Sequence, residues 1–433
     1  MASAEIVKTD VVIVGAGGGG AVLGLALAQK GICALVLEQA PGPPTGLRGE
    51  ILQPNGQRVL DRLGLLGGLS SDATRPVRYF HFCRVGGERL CTVDYGMLPQ
   101  PYNRALVTLP NVAHHAILEA LETQAPGRLW YGTRFQGLLR EGSQVTGVVA
   151  ERQGRETRIS ANLVVGADGA LSKVREALGI PTRLHLYKEG YLISLLDSPA
   201  DCDDARYFVG RRTILGMFPA AHGRLYLFYM IPADSMPQIK AAGLQALRDR
   251  WVAIDPHLDK VVANLVDWGQ TAYMPTGRVR TASWVADGAV LIGDAAHAMN
   301  PHASQGRMQA MVDAMTLADL IPECLNRGDC SAAALKDYER RRRPQVKMLQ
   351  RMADEQVLFW NTGNSLLALL RDRVFRTLER NRRLRYQVLA ATAGLRVAPA
   401  FGPADRLMAA GFLPDPRADR LPDRGEETVY PCP

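Results

Sequence analysis

The segment DVVIVGAGGGGAVLGLALAQKGICALVLEQA, Asp10 to Ala40, leaves this chain few ways to fold. Val11 to Val14 is a short β-branched run suited to a buried parallel strand. Gly15, Gly17 and Gly20 supply G-x-G-x-x-G, with Gly18 and Gly19 between them, and Gly24 lets the next helix lie close on the sheet. Amides unshielded by Cβ atoms can approach a pyrophosphate at the positive end of a helix. Ala21 to Gln29 continues that helix and Gly31 ends it. ICALVLEQ is a second strand, finishing at Glu38 and Gln39, with the Glu38 carboxylate placed to accept hydrogen bonds from an adenosine ribose. Strand, glycines, helix, strand and acid in register predict a dinucleotide site in a Rossmann-like α/β domain. The same carboxylate disfavours a 2′-phosphate, so NAD and FAD stay open and NADP does not.

Two further strands end in polar turns. NLVVGADGALSKVREALGI (162–180) runs into Asp168-Gly169, and GAVLIGD breaks at Gly293-Asp294. After the second break come Pro301 and a Ser304-Gln305-Gly306 turn, then Met308, Met311, Val312 and Met315 at helical spacing, which reads as core packing. Nicotinamide cofactors occupy one compact domain. Sites this far apart in sequence suit an extended FAD, with adenosine at one end and isoalloxazine at the other.

Together the glycine loop, the GADG segment and the GDAAH segment resemble the class A FAD-dependent aromatic monooxygenases of the p-hydroxybenzoate hydroxylase type, in order over residues 8–345. The resemblance implies that Glu38, with Gln39 beside it, holds the adenosine ribose and that Arg48 lies along the FAD ribose and pyrophosphate. It implies that Asp168 supports the pyrophosphate region, through water or the glycine-loop backbone, and that Asp294 accepts from a ribityl hydroxyl. The Pro301 carbonyl would lie near flavin and substrate. A helix starting at Gln305-Gly306, with Ser304 and Arg307 beside its first amides, would aim its dipole at the flavin edge that becomes negative on reduction. The implied cofactors are FAD and, as transient reductant, NADPH or NADH, docked without a second Rossmann domain. The implied reaction uses oxygen, through a C4a-hydroperoxyflavin, to hydroxylate or epoxidise an aromatic or lipophilic small molecule. A flavin-dependent reductase or desaturase of an isoprenoid or quinone-type substrate is the alternative; a binding protein without turnover has no need of three flavin contacts. No general base emerges, His297 reading as a structural hydrogen-bonding residue. Two departures stand out: Ser304 replaces a family glycine and Met308 an asparagine, and Leu109, Pro110 and Asn111 stand where relatives carry an arginine.

The expected architecture is an FAD-binding domain in three parts (1–75, 106–183 and 276–335), with an inserted antiparallel β-sheet substrate domain (76–105 and 184–275) and a helical region with an irregular tail (336–433). Met217, Phe218, Pro219, Tyr226, Phe228 and Tyr229, together with Pro301 and His302, are candidate pocket lining. Strand neighbours alternate, so about half of the sheet residues must face away. In the tail, Leu367, Leu370, Val374 and Leu378 form an apolar stripe with arginines beside it, which packs on the protein or lies on a membrane surface. Formal net charge is +8, much of it in Arg340–Arg343 and the arginines after 370, which read as solvated helix faces; no nucleic-acid-binding signature accompanies them. Seven scattered cysteines without C-x-x-C spacing argue for reduced thiols. The start of the sequence lacks a secretory pattern, and no apolar run reaches the ~18 residues of a membrane span. The expectation is a soluble, cytoplasmic protein with peripheral membrane contact left open; oligomeric state is not set.

Overall fold

The computed structural model describes residues 5–47, 50–198 and 202–421. Its central strand, Glu5–Val14, buries Val11, Val12 and Ile13 completely and pairs in parallel with Ala34–Leu37 on one side and Arg155–Gly166 on the other. Ala289–Leu291 adds in parallel to Arg155–Gly166. The registers Val14↔Leu37, Val14↔Gly166 and Gly166↔Leu291 bring four strand ends level at one edge of the sheet. The three turns singled out in the sequence therefore begin side by side. Burial on both faces explains the uninterrupted aliphatic runs.

A seven-stranded sheet forms a second layer, in the order Thr271–Thr281, Thr182–Asp197, Arg224–Pro232, Thr213–Ala220, Ala205–Gly210, Tyr79–Arg84, Arg89–Asp94. It is not wholly antiparallel as expected: Ala205–Gly210 and Tyr79–Arg84 run parallel. They meet from two separate excursions of the chain, so no hairpin turn constrains their direction. Alternation along the strands sorts side chains onto two faces. Tyr191, Phe218 and Tyr226 belong to one buried cluster, while Met217, Leu227 and Trp251 belong to another, against the Met236–Ile254 helix.

Helix Gly306–Arg327 crosses the first turn of helix Gly18–Gln29; a Cβ on Gly19 would stand 3.2 Å from the Ala310 carbonyl oxygen. Met308, Met311 and Met315 are buried core, as their spacing predicts. Met308 fills the space over Gly56, where a Cβ would lie 2.0 Å from its sulfur.

The arginine run is a correction. Arg342, on helix Ala332–Trp360, is buried rather than solvated: its Nε donates to Asp313 at 2.8 Å and Nη1 to Gln345 at 2.7 Å. Helix Ser365–Arg380 buries Leu378 and half-buries Leu370 and Val374 of the expected stripe, but the stripe is displaced at its start. Ala368, Arg371, Asp372, Phe375 and Leu378 face inward, whereas Leu367 is exposed. Arg371 is held on the inward side by donating to the Gly210 and Trp360 carbonyls while pairing with Asp372. Among the described residues, no helix is long and apolar enough to cross a membrane, and cysteines 33, 83, 91, 202, 324 and 330 are free.

Candidate functional site: the shared edge of the parallel sheet

Protein packing dictates some glycines of the loop and not others. Gly15 has φ +102° and a Cβ there would lie 2.5 Å from the Ala167 carbonyl oxygen; on Gly20 it would lie 1.9 Å from that of Gly15. At Gly18 it would strike the Arg307 side chain at 2.8 Å, and Gly293, at φ +59°, has Ala310 Cβ at the same distance. Gly17 has nothing within 4 Å, and at Gly306 the nearest atoms, Asp294 Oδ1 and Met299 Cγ, are 3.9 Å away. Both open glycines stand at helix starts, where amides lack intrahelical partners. This is a cradle for an elongated anionic group, so the residues present fit an FAD.

Around the cradle the expected residues behave differently. Glu38 accepts from the Ala16 amide and the Ala40 amide, each at 2.9 Å, tying the second strand's end to the glycine loop. Gln39 beside it is exposed. The Asp168 carboxylate turns away from the loop: it accepts from Ser172 Oγ at 2.5 Å and from the amides of Lys173 and Val174 at 2.7 and 3.0 Å. It organises the start of the following helix, and it is the Asp168 backbone that touches Gly15. Arg48 lies outside the described residues.

The Gly293-Asp294 turn is held from behind. Asp313 accepts from the Gly293 amide at 2.9 Å, from His297 Nε2 at 2.5 Å and from Arg342. Burial raises the Asp313 pKa, but His297 and Arg342 outweigh it and keep the carboxyl below its ordinary range. His297 is thus structural. The spine continues through Gln309 to Gln305, which is fully buried and donates to the Thr392 carbonyl at 2.6 Å, while Asn55 donates to Gln305 Oε1 at 2.9 Å. Pro301 opens a 3-10 turn, and Ser304 closes it at φ +53°. A left-handed residue is required there, which is why a glycine suits the position.

His302, second in that turn, is buried and reaches the seven-stranded sheet, with the Tyr191 hydroxyl 3.1 Å from its Nε2. Burial pushes its pKa down to about 3. Of the proposed lining, Phe218, Tyr226 and Phe228 lie on this face of the sheet. Met217 and Tyr229 are corrections: they sit in the opposite cluster, Tyr229 with its ring 6.2 Å from Trp251. Pro219 pairs with Leu225 of that cluster, so strand alternation places it on the far face too.

Sequence reasoning missed two contributors, His114 and Trp360, and noted a third, Asn111, only as a departure. His114 lies against the Ala16 backbone, its Nδ1 buried without a hydrogen-bond partner and its pKa lowered to about 4 by burial. Asn111, at the place where the resemblance implies an arginine in relatives, is left-handed and donates to the Gly46 carbonyl at 2.9 Å, tethering the loop that leads to Arg48. Trp360 closes the aromatic shell around His302 at 5.4 Å. A lone His and Trp on long helices carry no signal of the loop they face.

Residues 8–353 match the family described as FAD binding domain. The chain is 32% identical to 6-methylpretetramide 4-monooxygenase of Streptomyces rimosus, covering 81% of this chain and 84% of that protein. It is 30% identical to kynurenine 3-monooxygenase of Salinispora tropica, over 79% of this chain and 78% of that one. In fold it is similar to p-nitrophenol 4-monooxygenase PnpA of Pseudomonas putida, at TM-score 0.78 and 19% identity, covering 90% of this chain and 100% of the other.

Proposed function

Because the chain belongs to the class A FAD-dependent aromatic monooxygenases, we propose that it oxygenates an aromatic or lipophilic small molecule held between the Pro301 turn and the Tyr191 face of the seven-stranded sheet. The carrying observation is the level alignment of strand ends at Val14, Leu37, Gly166 and Leu291, with the open glycines 17 and 306 at that edge. Glu38 would take the adenosine ribose and the Gly17 amides the pyrophosphate, with the unpartnered His114 Nδ1 beside them. Asp294 and the helix start at Gly306 would take the ribityl and isoalloxazine end. The chemistry FAD supplies when bound is acceptance of electrons from NADH or NADPH and activation of oxygen.

The chain's own work is orientation and exclusion of water. The Gly306 helix start presents amides and a positive dipole end to negative charge. The Asp313–His297–Arg342 spine holds Gly293 in its positive-φ conformation, so those donors stay in place through turnover. Aromatic side chains on the sheet exclude water from the substrate. The domain partition follows the same logic: the two stretches of the seven-stranded sheet, 76–105 and 184–275, form the substrate part, and the helices after residue 336 pack on its Tyr191 face, where Phe375, Leu378 and Leu389 share a buried cluster with Phe218.

Purified protein loaded with FAD should be yellow and should consume oxygen and NADH or NADPH faster when an aromatic substrate is added. Oxygen from labelled O2 should appear in the product. Retention of FAD with product lacking the label would overturn the monooxygenase reading, and failure to bind FAD would overturn the site itself.

A further inference from the structure

Large apolar side chains stand out in solvent at the corner between helices Ala332–Trp360 and Ser365–Arg380. Leu358, near the end of the first helix, is 76% exposed, and Leu366 and Leu369, at the start of the second, are 74% and 63% exposed. The spacing 366, 369, 373 sets both leucines and Arg373 on one outward face, turned from the buried Ala368, Arg371 and Phe375. Phe412, 62% exposed, continues that face, with the Arg373 guanidinium 5.3 Å from its ring. Arginines frame the patch. Arg373 donates to the Gly411 carbonyl at 2.7 Å, and Arg211 donates to the Gly363 carbonyl at 3.0 Å, in the turn between the helices. Exposed Arg212 lies on the same glycine, where a Cβ would stand 2.6 Å from its Nε. A carbonyl partner holds a guanidinium in place without neutralising it.

The leucines and Phe412 offer a few hundred Å² of apolar side chain, well short of the ~800 Å² per partner that a stable protein interface buries. A second copy across a twofold axis would also bring these arginines toward their own counterparts, like charge against like. An anionic bilayer makes the opposite demand. Apolar side chains enter the acyl boundary while guanidiniums on long stems stay at the phosphates. Trp360, close behind Leu358, stands 5.4 Å from His302, so the corner borders the proposed substrate site and faces the phase in which a lipophilic substrate dissolves.

We infer that this corner docks the protein on an anionic lipid bilayer, with Leu358, Leu366, Leu369 and Phe412 at the acyl boundary and Arg211, Arg212 and Arg373 on lipid phosphates. Only the link to the substrate's route rests on the proposed function; the docking surface does not.

Sedimentation of the full, FAD-loaded chain with vesicles tests this, using phosphatidylglycerol–phosphatidylethanolamine vesicles beside pure phosphatidylcholine. Binding to the anionic vesicles should be tighter by about tenfold or more and should weaken as salt rises. Leu366→Ser combined with Leu369→Ser should weaken it by about tenfold or more. FAD retention and thermal melts should not change, because neither side chain is buried. Arg211→Gln with Arg212→Gln should erase most of the preference for anionic lipid. Arg155→Gln with Arg158→Gln removes the same charge from exposed positions on strand Arg155–Gly166 of the other sheet, and should leave binding within about twofold. The inference is overturned if the unsubstituted chain does not sediment with anionic vesicles, or if the leucine pair leaves binding undiminished. It is also overturned by a concentration-dependent dimer that the leucine pair abolishes, which would assign the face to a second copy. Lipid binding is read without substrate, so its loss leaves the monooxygenase reading standing, and unlabelled product from lipid-bound protein would leave the docking surface standing.

Discussion

At Gly17 and Gly306 a methyl group would meet protein atoms no nearer than 3.9 Å, whereas at Gly20 it would collide with the Gly15 carbonyl. The same substitution should therefore have opposite signatures. Gly17→Ala and Gly306→Ala should change stability by no more than about 1 kcal/mol and weaken FAD binding by about tenfold or more. Gly20→Ala should cost at least about 2 kcal/mol of stability. Thermal melts beside flavin titration separate the cases, and unweakened FAD binding in Gly17→Ala would contradict the cradle. Ser304, held at φ +53°, gives a second contrast. Ser304→Gly should be neutral or stabilise by up to about 1 kcal/mol, while Ser304→Val should destabilise by more than that, read from denaturant midpoints. Glycine spacing was legible because backbone geometry is a local property. That the Asp168 carboxylate accepts from the start of the next helix was not legible, since its partners depend on how the turn closes.

Among the elements, helix Ala332–Trp360 shows how a charge run misleads. Four consecutive arginines look solvated, yet Arg342 faces inward because a helix turns one residue in about four toward its support. There it meets Asp313, which has no exposure. Removing either partner leaves a buried, uncompensated charge, so Arg342→Met and Asp313→Leu should each cost about 3–5 kcal/mol, and the double substitution much less than their sum. Chemical denaturation of the four proteins measures this; additive losses would show that the pair is not coupled. The sheet strands teach the complementary point. Period-two patterning identified them, but which face met the Pro301 turn was open until the Met236–Ile254 helix was seen to cover Met217 and Tyr229.

For the whole molecule, two buried imidazoles link folding to pH. His114 and His302 have pKa values lowered to about 4 and about 3, so both are neutral in the folded protein well below the ordinary histidine value. The unfolded chain takes up their protons first. Stability is then complete above pH ~6.5 and falls on acidification, by up to about 3 kcal/mol per histidine near pH 4. Asp313 adds a further loss below the ordinary carboxylate range. Unfolding midpoints measured from pH 7.5 to 4.5 should fall steadily, and His302→Asn should flatten the slope; an unchanged slope would mean that burial does not govern this ring. By itself the sequence determined the strand–glycine–helix unit, the three strand-ending turns and the family they imply, because strand period, turn chemistry and helix starts are written in near neighbours. Tertiary structure alone decided that Arg342 is buried, that Tyr191 meets His302 across 111 residues and that Gln305 binds near the far helices. Those contacts join residues remote in the chain, and only packing the layers brings them within reach.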